Sequence, residues 1–304
     1  MKAHIALFLV SLIYAANYTI AKEVMPTYLI PEAIVFARIL TGTVVFWMLT
    51  AFKTERIERK DFGLLILCGL LGSALNMLAF FKGLNLTTPI NASLILLLVP
   101  IIVLVISAIF LKERMTNIKV IGIIIGVIGA GILVLNNRVI SLSSQGLIGD
   151  LLICVNSTSY AIYLILVKKL MLKYNTLVVL KWVFLFGLIL IFPFTFSDFI
   201  AADWWNIPMN IWFAIGFILI CVTVLTYLFN AYALQYVSAS VVSVYIYLQP
   251  LIASIIALSF GKDSLDVGKV IAYLLIFSGV LMVSQSRNSW KQLFQELKKS
   301  QINS

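Results

Sequence analysis

The sequence predicts an all-α integral membrane protein with ten transmembrane helices, laid out as two inverted five-helix repeats. Three observations predict it. The 304 residues are 62% hydrophobic and only 11% charged, far below the roughly 25% charge of a soluble globular chain. The apolar residues fall in blocks of about 20, the length that crosses a hydrocarbon core of about 30 Å. The chain also repeats itself: residues 75–135 align with 225–285 at a constant shift of 150, without a gap.

Ten blocks account for the helices in order. The first, near 3–22, lacks the small-residue cleavage site of a secretory signal and runs into Tyr14-Ala15-Ala16-Asn17-Tyr18, so it is read as a retained helix. The second and third, near 32–52 and 62–84, flank a basic segment with Lys53, Arg56, Arg59 and Lys60. The fourth, near 91–111, carries Pro100, and the fifth lies near 118–136. The sixth to tenth lie near 147–167, 177–197, 210–232, 239–259 and 268–285, the ninth carrying Pro250. A bilayer offers the backbone no hydrogen-bond partner, so each block is expected to be helical. Cys68, Cys154 and Cys221 all lie within apolar blocks, and their spacing suggests neither zinc nor a redox pair.

The net charge of +10 would suggest nucleic acid in a soluble protein, but its placement points to a bilayer. With a cytoplasmic N-terminus, fifteen Lys and Arg fall in inside segments: Lys2, four in 53–60, Lys112, Arg114, Lys119, three in 168–173 and four in 287–299. Five fall outside: Lys22, Lys82, Arg138, Lys262 and Lys269. The positive-inside rule then places both termini in the cytoplasm of a cell-membrane protein. The basic tail, 287–304, reads as an interfacial amphipathic end. The expected partners are the lipid bilayer and a small-molecule substrate, not nucleic acid; monomer and homodimer both stay open.

Matches among Leu, Ile and Val mean little in such a composition. Better markers of the repeat are Ser93 with Ser243, Pro100 with Pro250, Phe110 with Phe260 and Gly129 with Gly279. KVI at 119–121 returns at 269–271, while Tyr14-Ala15 and Lys22 align with Tyr160-Ala161 and Lys168 at a shift of 146. The two units are 1–138 and 145–286. Five helices per unit is an odd number, so the second unit must enter the membrane upside down. Inverted repeats around a midplane site mark secondary transporters. Each proline removes one helical hydrogen bond and kinks its helix, which makes Pro100 and Pro250 candidates for gating as well as for packing.

The stretch FFKGLNLTTPINASLILLLVPIIVLVISAIFLKERMTNIKVIGIIIGVIGAGIL and its partner NAYALQYVSASVVSVYIYLQPLIASIIALSFGKDSLDVGKVIAYLLIFSGVLMV make the pattern specific. Each resembles a run of the EamA-type family of the drug/metabolite transporter superfamily: a small-residue loop, an apolar helix with a central proline, a short acidic turn, and a glycine-bearing final helix. Arg38 in FARILTG also resembles that family's second helix. The resemblance covers about 1–286. It implies a ten-helix exporter or exchanger of small metabolites in the cytoplasmic membrane. The halves depart from symmetry: Glu113 is answered by Asp263, between Lys262 and Ser264, and Arg38 has no clear counterpart, Lys181 and Trp182 lying nearby.

Polar side chains in mid-helix face protein or water rather than lipid. Asn156, Tyr160 and Tyr163 share one helical face, as do Thr223, Tyr227 and Asn230. The face equivalent to the first holds Val10, Tyr14 and Asn17; the face equivalent to the second holds Ser73, Met77 and Phe80, with Asn76 to one side. Tyr245 and Gln249 stand four apart, just before the second proline. The candidate substrate cavity is therefore Tyr14, Asn17, Arg38, Asn76, Asn156, Tyr160, Tyr163, Tyr227, Asn230, Tyr245 and Gln249. Such groups hold small organic molecules by stacking and hydrogen bonds, although they can equally tie helix to helix. Arg38 can snorkel to the interface or bind a carboxylate or phosphate in its fork. Glu113 and Asp263 are expected to cap helices or pair with nearby cations.

No Asp or Glu lies deep in a block; Glu32, Asp61 and Asp150 sit at edges. A cation exporter would be expected to use an embedded carboxylate, so the sequence favours zwitterionic or neutral solutes such as amino acids. One histidine, His4, excludes a multi-histidine metal site. The chain has no HExxH, GxSxG or glycine-rich phosphate loop, and no cofactor or enzyme activity is expected. A non-transporting receptor or scaffold is the remaining alternative, and it leaves the repeat unused.

Overall fold

The structure is a computed structural model that describes residues 2–51, 55–110, 116–135, 144–259 and 267–284. Their regular structure is helical throughout. In chain order the helices are α1 (Lys2–Val24), α2 (Pro31–Leu49) and α3 (Arg59–Leu86). Next come α4 (Pro89–Leu96 and Leu98–Phe110), α5 (Asn117–Leu135) and α6 (Ser144–Met171). The rest are α7 (Thr176–Ala201), α8 (Met209–Tyr236), α9 (Ala239–Val244 through Leu248–Ser259) and α10 (Val267–Ser284). Among the described residues, α1–α4 and α6–α8 are seven helices long and apolar enough to cross a membrane; α5, α9 and α10 contain shorter apolar stretches. Glu113, Lys262, Asp263 and the tail 287–304 lie outside the described residues.

Local chemistry starts several of these helices. Pro31 begins α2, where its missing N–H costs nothing and its φ suits the first turn. Asn175 caps α7, its Oδ1 accepting from the Leu177 N–H at 3.0 Å. Ser238 caps α9, its Oγ accepting from the Val241 N–H at 3.3 Å.

Both prolines coincide with a break in regular winding. α4 is interrupted at Leu97, three residues before Pro100. α9 tightens to a 3₁₀ turn at Tyr245–Tyr247, just before Pro250. The cause is shared: proline has no N–H for the carbonyl four residues back. α3 and α8 carry a second shared irregularity, π turns at Leu70–Ala74 and Phe217–Leu225.

The helices pair in a pattern that the repeat predicts. α5 lies along α10 and α2 along α7; α3 packs on α6 as α1 packs on α8; α4 contacts α6 as α9 contacts α1. Replacing each helix by its counterpart in the other half returns the same set of pairs. α5 and α10 meet at glycines: a Cβ on Gly279 would stand 2.6 Å from Gly122 O and 2.7 Å from Gly126 N. Only a residue without a side chain lets these backbones approach so closely.

The ends of the bundle are also distinguishable. At one end Lys173 Nζ pairs with Glu58 and Asp61 at 2.7 and 2.6 Å, and the Asn175 N–H donates to Glu55 at 2.9 Å. The α2–α3 and α6–α7 turns therefore share that end. At the other end the Phe199 ring packs at a tilt against Phe36, near the start of α2, and against Trp204. The α7–α8 turn is thus separated from the α2–α3 turn by the length of α2, about 28 Å at 1.5 Å per residue.

Candidate functional site

A small cavity of about 80 Å³, open at one mouth, lies between the two halves. Tyr14, Asn17 and Tyr18 line it from α1, Arg38 from α2, and Asn76, Met77 and Phe80 from α3. Asn156 and Tyr160 face it from α6, Val222 and Tyr227 from α8, Ile246 and Gln249 from α9, and Leu96 from α4. α5 and α10, which pair with each other, contribute no lining residue among those described.

The α8 π turn explains where Arg38 sits. Its side chain is only 4% exposed, so it turns inward and does not snorkel. Arg38 Nε donates to Thr223 Oγ1 at 2.8 Å and Nη2 to the Val222 carbonyl at 3.3 Å. The Thr223 hydroxyl in turn donates to Ile218 O, five residues back. A π turn loosens the regular ladder and leaves acceptors for a side chain. The guanidinium also lies over the Phe81 ring, 4.8 Å from its centroid, a favourable cation–π arrangement. In α3, Ser73 does the equivalent job with a hydroxyl alone: its Oγ donates to Gly69 O at 2.7 Å and contacts Val183 O at 3.3 Å.

Four further bonds shape the walls. Asn76 and Asn156 exchange side-chain donors for each other's backbone carbonyls, at 3.3 and 2.9 Å, and so lock α3 to α6. The Tyr227 hydroxyl donates to Gly72 O in the α3 π turn. The Tyr18 hydroxyl donates to Gln249 Oε1 at 3.1 Å and bridges α1 to α9. The Asn17 Oδ1 atom is different: it is buried and has no hydrogen-bond partner among the described residues.

Eight of the candidate residues therefore come together: Tyr14, Asn17, Arg38, Asn76, Asn156, Tyr160, Tyr227 and Gln249. Tyr163 and Asn230 line a smaller, tighter space beyond Tyr160 and Tyr227. Tyr163 lies flat on Gly72, where a Cβ would stand 2.2 Å from its ring. Tyr245 fastens helices instead: its hydroxyl is 2.7 Å from His4 Nδ1, and its carbonyl accepts from Ser11 Oγ at 2.9 Å. Pro100 and Pro250 do not line the cavity, although Leu96 and Ile246, four residues before each, do. Tyr18 was legible at i+4 from Tyr14. Val222 and Ile246 carried no polar signal.

Among the described residues no Asp or Glu lines the cavity. Glu32 pairs with Lys82 at 2.7 Å, and Asp150 bonds Thr87 and Asn91 at the rim of the bundle. Among the described residues no cluster of three His, Cys, Asp or Glu side chains could hold a metal.

Comparison with known proteins gives this cavity a context. The chain is 26% identical over 289 residues to the uncharacterized transporter YyaM of Bacillus subtilis (strain 168), spanning 93% of this chain and 94% of that one. It is 28% identical over 287 residues to an uncharacterized transporter of Archaeoglobus fulgidus, spanning 94% of this chain and all of the relative. A solved crystal structure shares the fold with a TM-score of 0.72 at 18% identity, over 92% of this chain and 95% of its own. The family model for EamA-like transporters matches twice, over residues 1–135 and 147–285, and the chain belongs to the EamA-like transporter family.

Proposed function

We propose that the protein is a secondary transporter of small organic metabolites, working by alternating access between two inverted five-helix halves in the cytoplasmic membrane. The observation that carries this reading is the polar cavity lined by mid-helix residues of both halves. The exchange-symmetric helix pairs and the separation of the α2–α3 and α7–α8 turns support the inversion. Inverted halves around one site supply two similar gates, and the broken windings of α4 and α9, beside Leu96 and Ile246, are the points where each gate bends. Both termini face the cytoplasm, and the direction of transport is export or exchange. The substrates carry no net positive charge, because no carboxylate among the described residues lines the cavity to receive one; amino acids and similar zwitterionic or neutral solutes form the range that the sequence suggests.

Counterflow tests this. Purified protein in liposomes preloaded with an unlabelled metabolite mixture is expected to accumulate labelled amino acids or related carboxylates transiently and saturably. A receptor or scaffold would accumulate none.

A further inference from the structure

Arg38 and Asn17 are two cavity residues with polar capacity that the hydrogen bonds among the described residues leave unspent. Arg38 has five N–H donors. Two go to neutral acceptors, Thr223 Oγ1 and Val222 O, and no carboxylate lies within 4 Å of it among the described residues. A buried guanidinium without a counter-charge is costly, yet this one lines the cavity. Asn17 lines the same cavity and is 2% exposed, and its buried Oδ1 has no hydrogen-bond partner among the described residues. The rings of Tyr14, Tyr18, Phe80 and Tyr160 belong to residues that line the same cavity.

Resting on the transporter reading above, we propose that this cavity selects organic monocarboxylates by charge, with the carboxylate on the Arg38 guanidinium and a neutral O–H or N–H donor on Asn17 Oδ1. The cavity then holds one fixed positive charge and one substrate negative charge. A zwitterion also satisfies Arg38, but it brings an ammonium for which the cavity offers only neutral acceptors and aromatic faces. Monoanions such as hydroxy acids or N-acylated amino acids therefore rank first, zwitterionic amino acids second, neutral amides third and amines last. The rings take the apolar body of the molecule.

A matched series on one skeleton tests the ranking: 3-phenyllactate, L-phenylalanine, 3-phenylpropanamide and phenethylamine, each titrated calorimetrically into the purified full-length protein at pH 7. The expected order of affinity follows the order given. Arg38→Gln is expected to weaken 3-phenyllactate by about tenfold or more, the worth of a charge-assisted hydrogen bond, while 3-phenylpropanamide changes little. Arg38→Gln also loosens α8, so a second variant guards the test. Asn17→Asp places a carboxylate in the cavity and is expected to lower affinity for 3-phenyllactate and raise it for phenethylamine. Phenethylamine binding wild type as tightly as 3-phenyllactate overturns the proposal. So does an unchanged charge order in Asn17→Asp, or binding of none of the four. Counterflow of the same compounds separates the two claims. Exchange without charge ranking sinks this inference and leaves transport standing; charge-ranked binding without exchange does the reverse.

Discussion

Thr223 shows how a side chain can belong to a site without facing it. Its hydroxyl accepts from Arg38 and donates to Ile218 O, so it holds the cavity's cation in place. Thr223→Val keeps the shape and removes both bonds; a loss of about 1–3 kcal/mol in unfolding free energy is expected, since a buried charged donor is left short of an acceptor. Denaturant titration of the purified protein measures it, and Thr223→Ser should recover most of the loss. Tyr160 and Gln249 face the cavity directly. Tyr160→Ala or Gln249→Ala is expected to abolish the rise in melting temperature that a bound metabolite causes; a shift equal to wild type in both would remove these residues from the binding surface. The stacked amides and phenols at i, i+4 and i+7 were readable in the chain because helical spacing is regular. Tyr245 was not, because its bond to His4 spans 241 positions, and no local pattern encodes a contact between helices that far apart.

Among the helices, α5 and α10 depend on backbone contact at Gly279, Gly122 and Gly126. Gly279→Leu is expected to cost about 1–3 kcal/mol or more, the range for overpacking, and to lower the melting temperature. Gly131→Ala on the same α5 is the control, since nothing lies within 4 Å of its added Cβ, and it should leave melting unchanged. The glycine repeat was visible as Gly129 answering Gly279, yet the contacts pair Gly279 with Gly122 and Gly126, and Gly129 with Leu275. Sequence alignment relates equivalent positions, whereas packing joins opposing ones. The breaks at Leu97 and Tyr245–Tyr247 follow from proline chemistry and were expected. The π turns of α3 and α8 were not, because the extra residue per turn is stabilised by Arg38, Ser73 and Tyr227, which arrive from elsewhere or bond elsewhere.

Across the bundle, one end is tied by charge and the other by aromatic rings. Lys173 and Lys60 bond Glu58 and hold its carboxyl below the usual carboxylate range. The Asp61 and Glu58 carboxylates hold Lys173 above its ordinary value. A carboxyl with a lowered native pKa contributes stability above its ordinary pKa, and that contribution disappears as pH falls through the lowered value. Melting temperature is therefore expected to drop on acidification below about pH 4.5, and Lys173→Gln should flatten that drop; differential scanning fluorimetry across pH 3–8 reads both. The arrangement of the halves has its own test. Lys60→Cys and Trp205→Cys, labelled with an impermeant maleimide in oriented membranes, are expected to react from opposite sides; reaction from one side removes the inverted arrangement.

Membrane character, the positions of the apolar blocks, the internal duplication and the set of polar faces were all present in the chain, because each follows from periodicity, composition or repetition along one dimension. The meeting of those faces in one cavity was not. Nor were the inward turn of Arg38 onto α8 and the unsatisfied Asn17 oxygen. These depend on which helix lies beside which, and therefore on distances between residues as many as 241 positions apart, where close packing and the need to satisfy buried polar groups, rather than local preference, select the arrangement.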